Sequence, residues 1–282
     1  RKEISQDLIM NRTERRRQQR QQKKQQRPEP QSFEIQYELL RPWSDILFRT
    51  FLPPFILERM IKITDDVLNN PKRTPWGQNL AGQIVDEPLI PQEVLEKENV
   101  FGFFVNMVLE YIQSCMISQA TKQFEGEILG QRDNWRVDLR SMWVVEQQPG
   151  EYNPMHLHTD CDISTVMYLK VPEFLPSQKP EKKDDGSIYF VGDCGPSNKL
   201  KRGTVKVNPV PGEFYIFPQH LLHTVYPYKT NDNFARRSVS FNASFHHVDP
   251  NVNKVMKSEV TNMRPPNEPL NTQNETVLLK GS

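Results

Sequence analysis

Hydrophobic positions change their spacing along the chain. In the first half they recur every three to four residues. After Pro53 and Pro54, Phe55, Ile56, Met60, Ile63, Val67 and Leu68 fall at helical spacing, and the two prolines suit a first helical turn, where a missing N–H costs nothing. This predicts a helix ending near Asn70, before Pro71. A second helix is predicted over about 92–120, with Phe104, Val108, Tyr111, Ile112 and Cys115 on one stripe and Gly102 weakening its middle. Both are expected to brace a sheet from outside.

From Trp135 the texture shifts to short apolar runs divided by Gly and Pro, the pattern of an antiparallel barrel or sandwich. Strands are predicted at 136–147, 154–159, 164–171, 187–191, 204–208, 213–217, 222–227 and 237–245, and eight short strands fit a jelly roll. The expected fold is mostly β with flanking helices. The folded part should start near Phe33. The expected organisation is an arm over 1–32, a helical support region over 33–134, a β core over 135–249 and a polar arm over 250–282, rich in Asn and Pro.

Composition narrows the class little. The 282 residues carry 36 basic and 35 acidic side chains, so net charge says almost nothing about partners. Its distribution says more. Arg12, Arg15, Arg16, Arg17, Arg20, Lys23, Lys24 and Arg27 sit among glutamines in a tract that cannot bury enough to fold alone. Through 12–27 it could grip nucleic acid or an acidic protein partner; the composition favours a solvated tail, since no aromatic residues are interleaved. Three widely spaced cysteines, Cys115, Cys161 and Cys194, suit a reducing compartment, with the cytoplasm as the default location. No run approaches the roughly 20 apolar residues of a membrane span, so no membrane role is expected.

Candidate chemistry lies in the β-rich part. Alternate residues of a strand share a face, so His156 and His158 point the same way, with Asp160 in phase if the strand lasts that long. Imidazole suits iron, zinc, copper and nickel. A third ligand must come from a neighbouring strand, and His223, just after Phe217-Pro218, is placed for it. His220, His246 and His247 are read as ordinary polar residues. In the run 236–242, Arg236, Ser238, Ser240 and Asn242 share one face. A guanidinium can grip a carboxylate through two parallel hydrogen bonds, with a serine two residues along adding a third, so Arg236 and Ser238 form a candidate carboxylate clamp.

These motifs, in this order, resemble the 2-oxoglutarate- and Fe(II)-dependent oxygenases, in particular the small oxygenases of marine bacteria and their phages. Trp143, Gly150, Asn153, His156 and His158, then 164–172, then 186–190, then 212–218 with His223, then Arg236-Arg237-Ser238 carry the resemblance over about 135–245. It implies a double-stranded β-helix (jelly-roll, cupin-like) barrel, an Fe(II) site of His156, His158 and His223, and 2-oxoglutarate held by Arg236 and Ser238. The implied activity is a dioxygenase, with hydroxylation of an unknown substrate as its reaction. The wider superfamily places a carboxylate where His158 stands. A shift by two, to His158 and Asp160, is therefore the open alternative for the ligand set. A second reading is a structural or virion-associated interaction module on the same barrel, and a third is a cupin-like metalloenzyme without 2-oxoglutarate. Residues 173–185 are expected to form a loop at the barrel mouth.

Overall fold

The structure is a computed structural model that describes residues 37–40, 45–119, 131–176, 183–192, 203–231 and 234–248. The basic arm over 1–32, the polar arm over 250–282, Cys194 and residues 177–182 of the expected loop lie outside the described residues.

The described strands form two antiparallel sheets. Five of the larger sheet's strands are β2 (Leu47–Phe51), β3 (Trp135–Gln147), β5 (Ile163–Lys170), β8 (Glu213–Pro218) and β10 (Arg236–His247). With β1 (Tyr37–Leu40) at one edge its order is β1-β2-β8-β5-β10-β3. The smaller sheet joins β4 (Asn153–His156), β9 (Leu222–Val225), β6 (Ile188–Val191) and β7 (Thr204–Val207), in the order β4-β9-β6-β7. Tyr168, Tyr215 and Phe217 of the larger sheet pack with Ile188, Phe190 and Val225 of the smaller, so the sheets face each other as in a jelly roll.

Helices cover the outer face of the larger sheet. Helix α1 (Pro54–Asn69) starts at its proline and buries Ile56, Met60, Ile63 and Val67, the stripe its spacing predicts. These join Phe104, Val108 and Ile112 of α3 (Phe101–Gln119) and Met167, Phe214, Val239 and Phe241 of the sheet in one core. Burying each such side chain stabilises the fold by about 1.5–3 kcal/mol.

The sheet's other face lines the interior. Along β10, Val239, Phe241 and Ala243 point to the helices while Arg236, Ser238, Ser240 and Asn242 line the cavity between the sheets. On β3 the helix-facing set steps from Val137 and Leu139 to Met142 and Val144. A register shift opposite Asn242/Ala243 inserts the extra residue that causes the step.

Two expectations are corrected. The helix predicted over about 92–120 is two helices, α2 (Gln92–Lys97) and α3, because Asn99 takes a left-handed φ of 53° and ends the first. Gly102 lies inside α3 and does not cause the break. Two strands, β1 and β2, also precede the helices. Ile46, Leu47, Phe48 and Thr50 are all buried, so β2 shows no period of two, and its lack of alternation hides it. No helix among the described residues is long and apolar enough to cross a membrane.

Candidate metal centre

Strands β4 and β9 pair with His156 opposite His223, which puts two imidazoles side by side across the smaller sheet. Strand β4 ends at His156, but exposure keeps alternating over 155–159, so His158 turns inward with His156 as the spacing predicts. The backbone N–H of His158 donates to the carbonyl of Gln219 at 3.0 Å, which ties down the chain just past the strand. The rings of His156 and His223 lie 4.2 Å apart, and those of His158 and His223 stack at 5.2 Å.

Hydrogen bonds aim the ring nitrogens. His156 Nδ1 meets the carbonyl of Pro154 at 2.7 Å and His223 Nδ1 that of Leu221 at 2.8 Å. A carbonyl only accepts, so each ring carries its proton on Nδ1 and leaves the Nε2 lone pair free. The Nε2 atoms of His158 and His223 stand 3.3 Å apart. That is the spacing of two nitrogens each about 2.1 Å from a shared ion. One nitrogen from each of the three rings lies within 4.8 Å of the others, so the set could hold a metal.

Burial pushes His158 down to about 3, with His156 adding to the effect. Burial drives His223 well below its ordinary value, with both neighbouring rings contributing, and lowers His156 as well. All three are neutral near pH 7, the state in which imidazole ligates. Asp160 lines the same cavity but is exposed, has a φ of 59°, and is not one of the three converging side chains. His220 is exposed and contacts Asp45, His246 contacts Asp138, and His247 packs on Trp135.

Arg236 projects into the same cavity of about 210 Å³. It is only 1% exposed, and among the described residues no carboxylate pairs with it. Its Nη1 donates to the carbonyl of Gly186 at 2.6 Å, its guanidinium lies 5.5 Å from the Tyr168 ring, and its buried Nε has no partner. The hydroxyl of Tyr168 is likewise buried and unpartnered. An uncompensated buried cation costs several kcal/mol, and an anion arriving beside it removes that cost. Its neighbour Arg237 points to the opposite face and is fully paired with Glu146 and Asp65. Ser238 lines the cavity beside Arg236, and its register partner on β5 is Tyr168.

Sequence reasoning missed two polar residues of this cavity. Tyr168 is in phase with Val166 on β5, so strand alternation could have found it. Glu87 sits in an irregular segment that pairs with 74–76 on one side and with the edge of β3 on the other, and no local pattern marks it.

Residues 141–242 match the family model described as "Putative 2OG-Fe(II) oxygenase". The matched segment holds all three imidazoles and Arg236. Among solved structures, the chain is similar to a prolyl-4-hydroxylase of Pseudomonas putida, with 16% identity, a TM-score of 0.42, and coverage of 70% of this chain and 91% of that one. It is also similar to a prolyl hydroxylase of Trichoplax adhaerens, solved with a hypoxia inducible factor peptide fragment, at 12% identity, TM-score 0.42, and 76% and 88% coverage. A third is a 2OG-Fe(II) oxygenase family oxidoreductase of Burkholderia pseudomallei, at 12% identity, TM-score 0.34, and 86% and 83% coverage. No curated protein matches the chain.

Proposed function

We propose that the protein is a 2-oxoglutarate- and Fe(II)-dependent dioxygenase that hydroxylates its substrate. His156, His158 and His223 hold the iron, and Arg236 with Ser238 holds the remote carboxylate of 2-oxoglutarate. The observation that carries this reading is the unpartnered Nε of a buried arginine in the cavity where three neutral imidazoles converge. A non-catalytic interaction module gives no reason to bury an unpaired cation there.

When bound, iron and 2-oxoglutarate supply oxygen activation: one oxygen atom of O2 ends in succinate, formed with CO2, and the other in a hydroxyl on the substrate. The chain positions and shields. Carbonyls of Pro154 and Leu221 fix the His156 and His223 tautomers so that each Nε2 lone pair is left to bind an ion. Arg236 and the Tyr168 hydroxyl offer donors to the far carboxylate, and Phe217, packed edge-on against Phe190, gives the cavity an apolar wall.

Purified protein given Fe(II), 2-oxoglutarate and oxygen should release succinate, even at the slow rate expected without substrate. No succinate above a metal-free control, over a range of protein concentrations, counts against the reading.

A further inference from the structure

The cavity is polarised along a single row of residues. On β10, Ser238 faces Tyr168 of β5 on one side and Val145 of β3 on the other. The segment 86–90 adds to the free edge of β3, where Val144 N–H donates to Pro88, Glu146 N–H to Asp86, and Leu89 lies opposite Trp143. That register sets Glu87 opposite Val145. Tyr168, Ser238, Val145 and Glu87 therefore form one cross-strand row, and all four line the cavity. Adjacent strands lie about 4.8 Å apart, so Glu87 stands roughly 10 Å from Ser238, on the side away from Tyr168.

Glu87 is only 3% exposed, and its Oε2 is sealed from solvent without a hydrogen-bond partner. It does not tie down the loop around it. Gly77 and Gly82 pass bare backbone over the carboxyl: a Cβ at Gly77 would lie 3.3 Å from Oε2, and one at Gly82 would lie 3.4 Å from both oxygens. Neither glycine donates to it. The nearby acid Glu151 is already engaged, accepting from the N–H groups of Val85 at 3.1 Å and Gln148 at 2.7 Å. The half-buried Trp76 ring and Trp143 also line the cavity. An unpaired acid beside aromatic rings is the chemistry that receives a cation.

We propose that Glu87 is the substrate-recognition residue of this cavity, accepting hydrogen bonds from an ammonium or guanidinium group carried by the substrate. This inference rests on the oxygenase reading, since it gives the guanidinium end of the row to the cosubstrate and the acidic end to the substrate. Burial, with the charge of Glu151 added, pushes the Glu87 carboxyl up to about 8, as expected for an acid left without a partner. A cation at Oε2 supplies that partner.

The test uses the full chain loaded with Mn(II) and 2-oxoglutarate. The probes are n-butylguanidinium and n-butylammonium, compared with the neutral n-butylurea and n-butanol, and binding is followed by ligand-observed NMR. The cationic probes should bind roughly tenfold or more tightly than their neutral counterparts, and their resonances should be broadened by the nearby Mn(II). Glu87→Gln should shrink that preference to about twofold or less while leaving Mn(II) and 2-oxoglutarate affinity unchanged. Equal binding of charged and neutral probes, or a preference that survives Glu87→Gln, overturns the proposal. The same probes against metal-free protein separate the two ideas. If Mn(II) or 2-oxoglutarate fails to bind, the oxygenase reading fails, while the cation preference is still read directly from Glu87.

Discussion

His158 and His223 bring their Nε2 atoms to 3.3 Å although 65 residues separate them in the chain. The closeness comes from two different devices. Pairing of β4 with β9 delivers His223 beside His156, and alternation carried past the end of β4, where the His158 N–H donates to Gln219, adds His158 to them.

Replacing His223 with Ala should remove metal binding while leaving the fold intact. Loss of a ligand should exceed the 10–100-fold cost of disturbing a ligand's supporting partner, so Mn(II) affinity should fall by more than about 100-fold. Isothermal titration against the parent reads this, with circular dichroism to confirm folding. Unchanged stoichiometry would show that the ion is held elsewhere.

Arg236 has a separate signature. Arg236→Ala should keep Mn(II) binding but weaken 2-oxoglutarate by about 30-fold or more, the range for truncating one member of a buried charged pair. Ser238→Ala removes a single hydrogen bond, worth about 1 kcal/mol, and should cost less. Equal 2-oxoglutarate affinity in Arg236→Ala and its parent would remove the clamp assignment.

Glu87→Gln should also act on stability, in a pH-dependent way. A carboxyl raised to about 8 keeps its proton in the folded protein while the unfolded chain ionises above about pH 4. Native stability is therefore lost progressively between those two values as pH rises. The amide has no charge to bury, so the variant should gain more than about 1 kcal/mol over the parent at pH 8 and little at pH 4. Urea unfolding at both pH values measures the difference.

Asp65 shows the opposite sign. Burial pushes its carboxyl up, but hydrogen bonds from Lys170 at 2.7 Å and from Arg237 outweigh that and hold it below its ordinary value. Its contribution is full above about pH 4 and disappears as pH falls through the lowered folded value. Asp65 is 43% exposed, so solvent screening limits the gain. Asp65→Asn should cost about 1 kcal/mol or less at pH 7, and nothing once the acid is protonated in both states.

Much of the site was legible in the chain, because it rests on strand alternation. His156, His223, Arg236 and Ser238 all lie on β4, β9 or β10, where side-chain direction follows from position. His158 follows the same alternation just past the end of β4, where its backbone N–H donates to Gln219. Glu87 was invisible because its place depends on an edge pairing between segments more than 50 residues apart, with no motif of its own. In the fold, alternating strands and amphipathic α1 declared themselves, whereas β2, buried on both faces, did not. The split between α2 and α3 turned on one residue, Asn99, adopting a left-handed conformation inside an otherwise helical pattern.

The most direct measurement is a crystal structure of the full chain with Mn(II) and 2-oxoglutarate. The account predicts one ion bonded by Nε2 of His156, His158 and His223, with the cosubstrate's far carboxylate on the Arg236 guanidinium. An ion ligated by Asp160 in place of His156, or a cosubstrate carboxylate that leaves Arg236 unpaired, would contradict it.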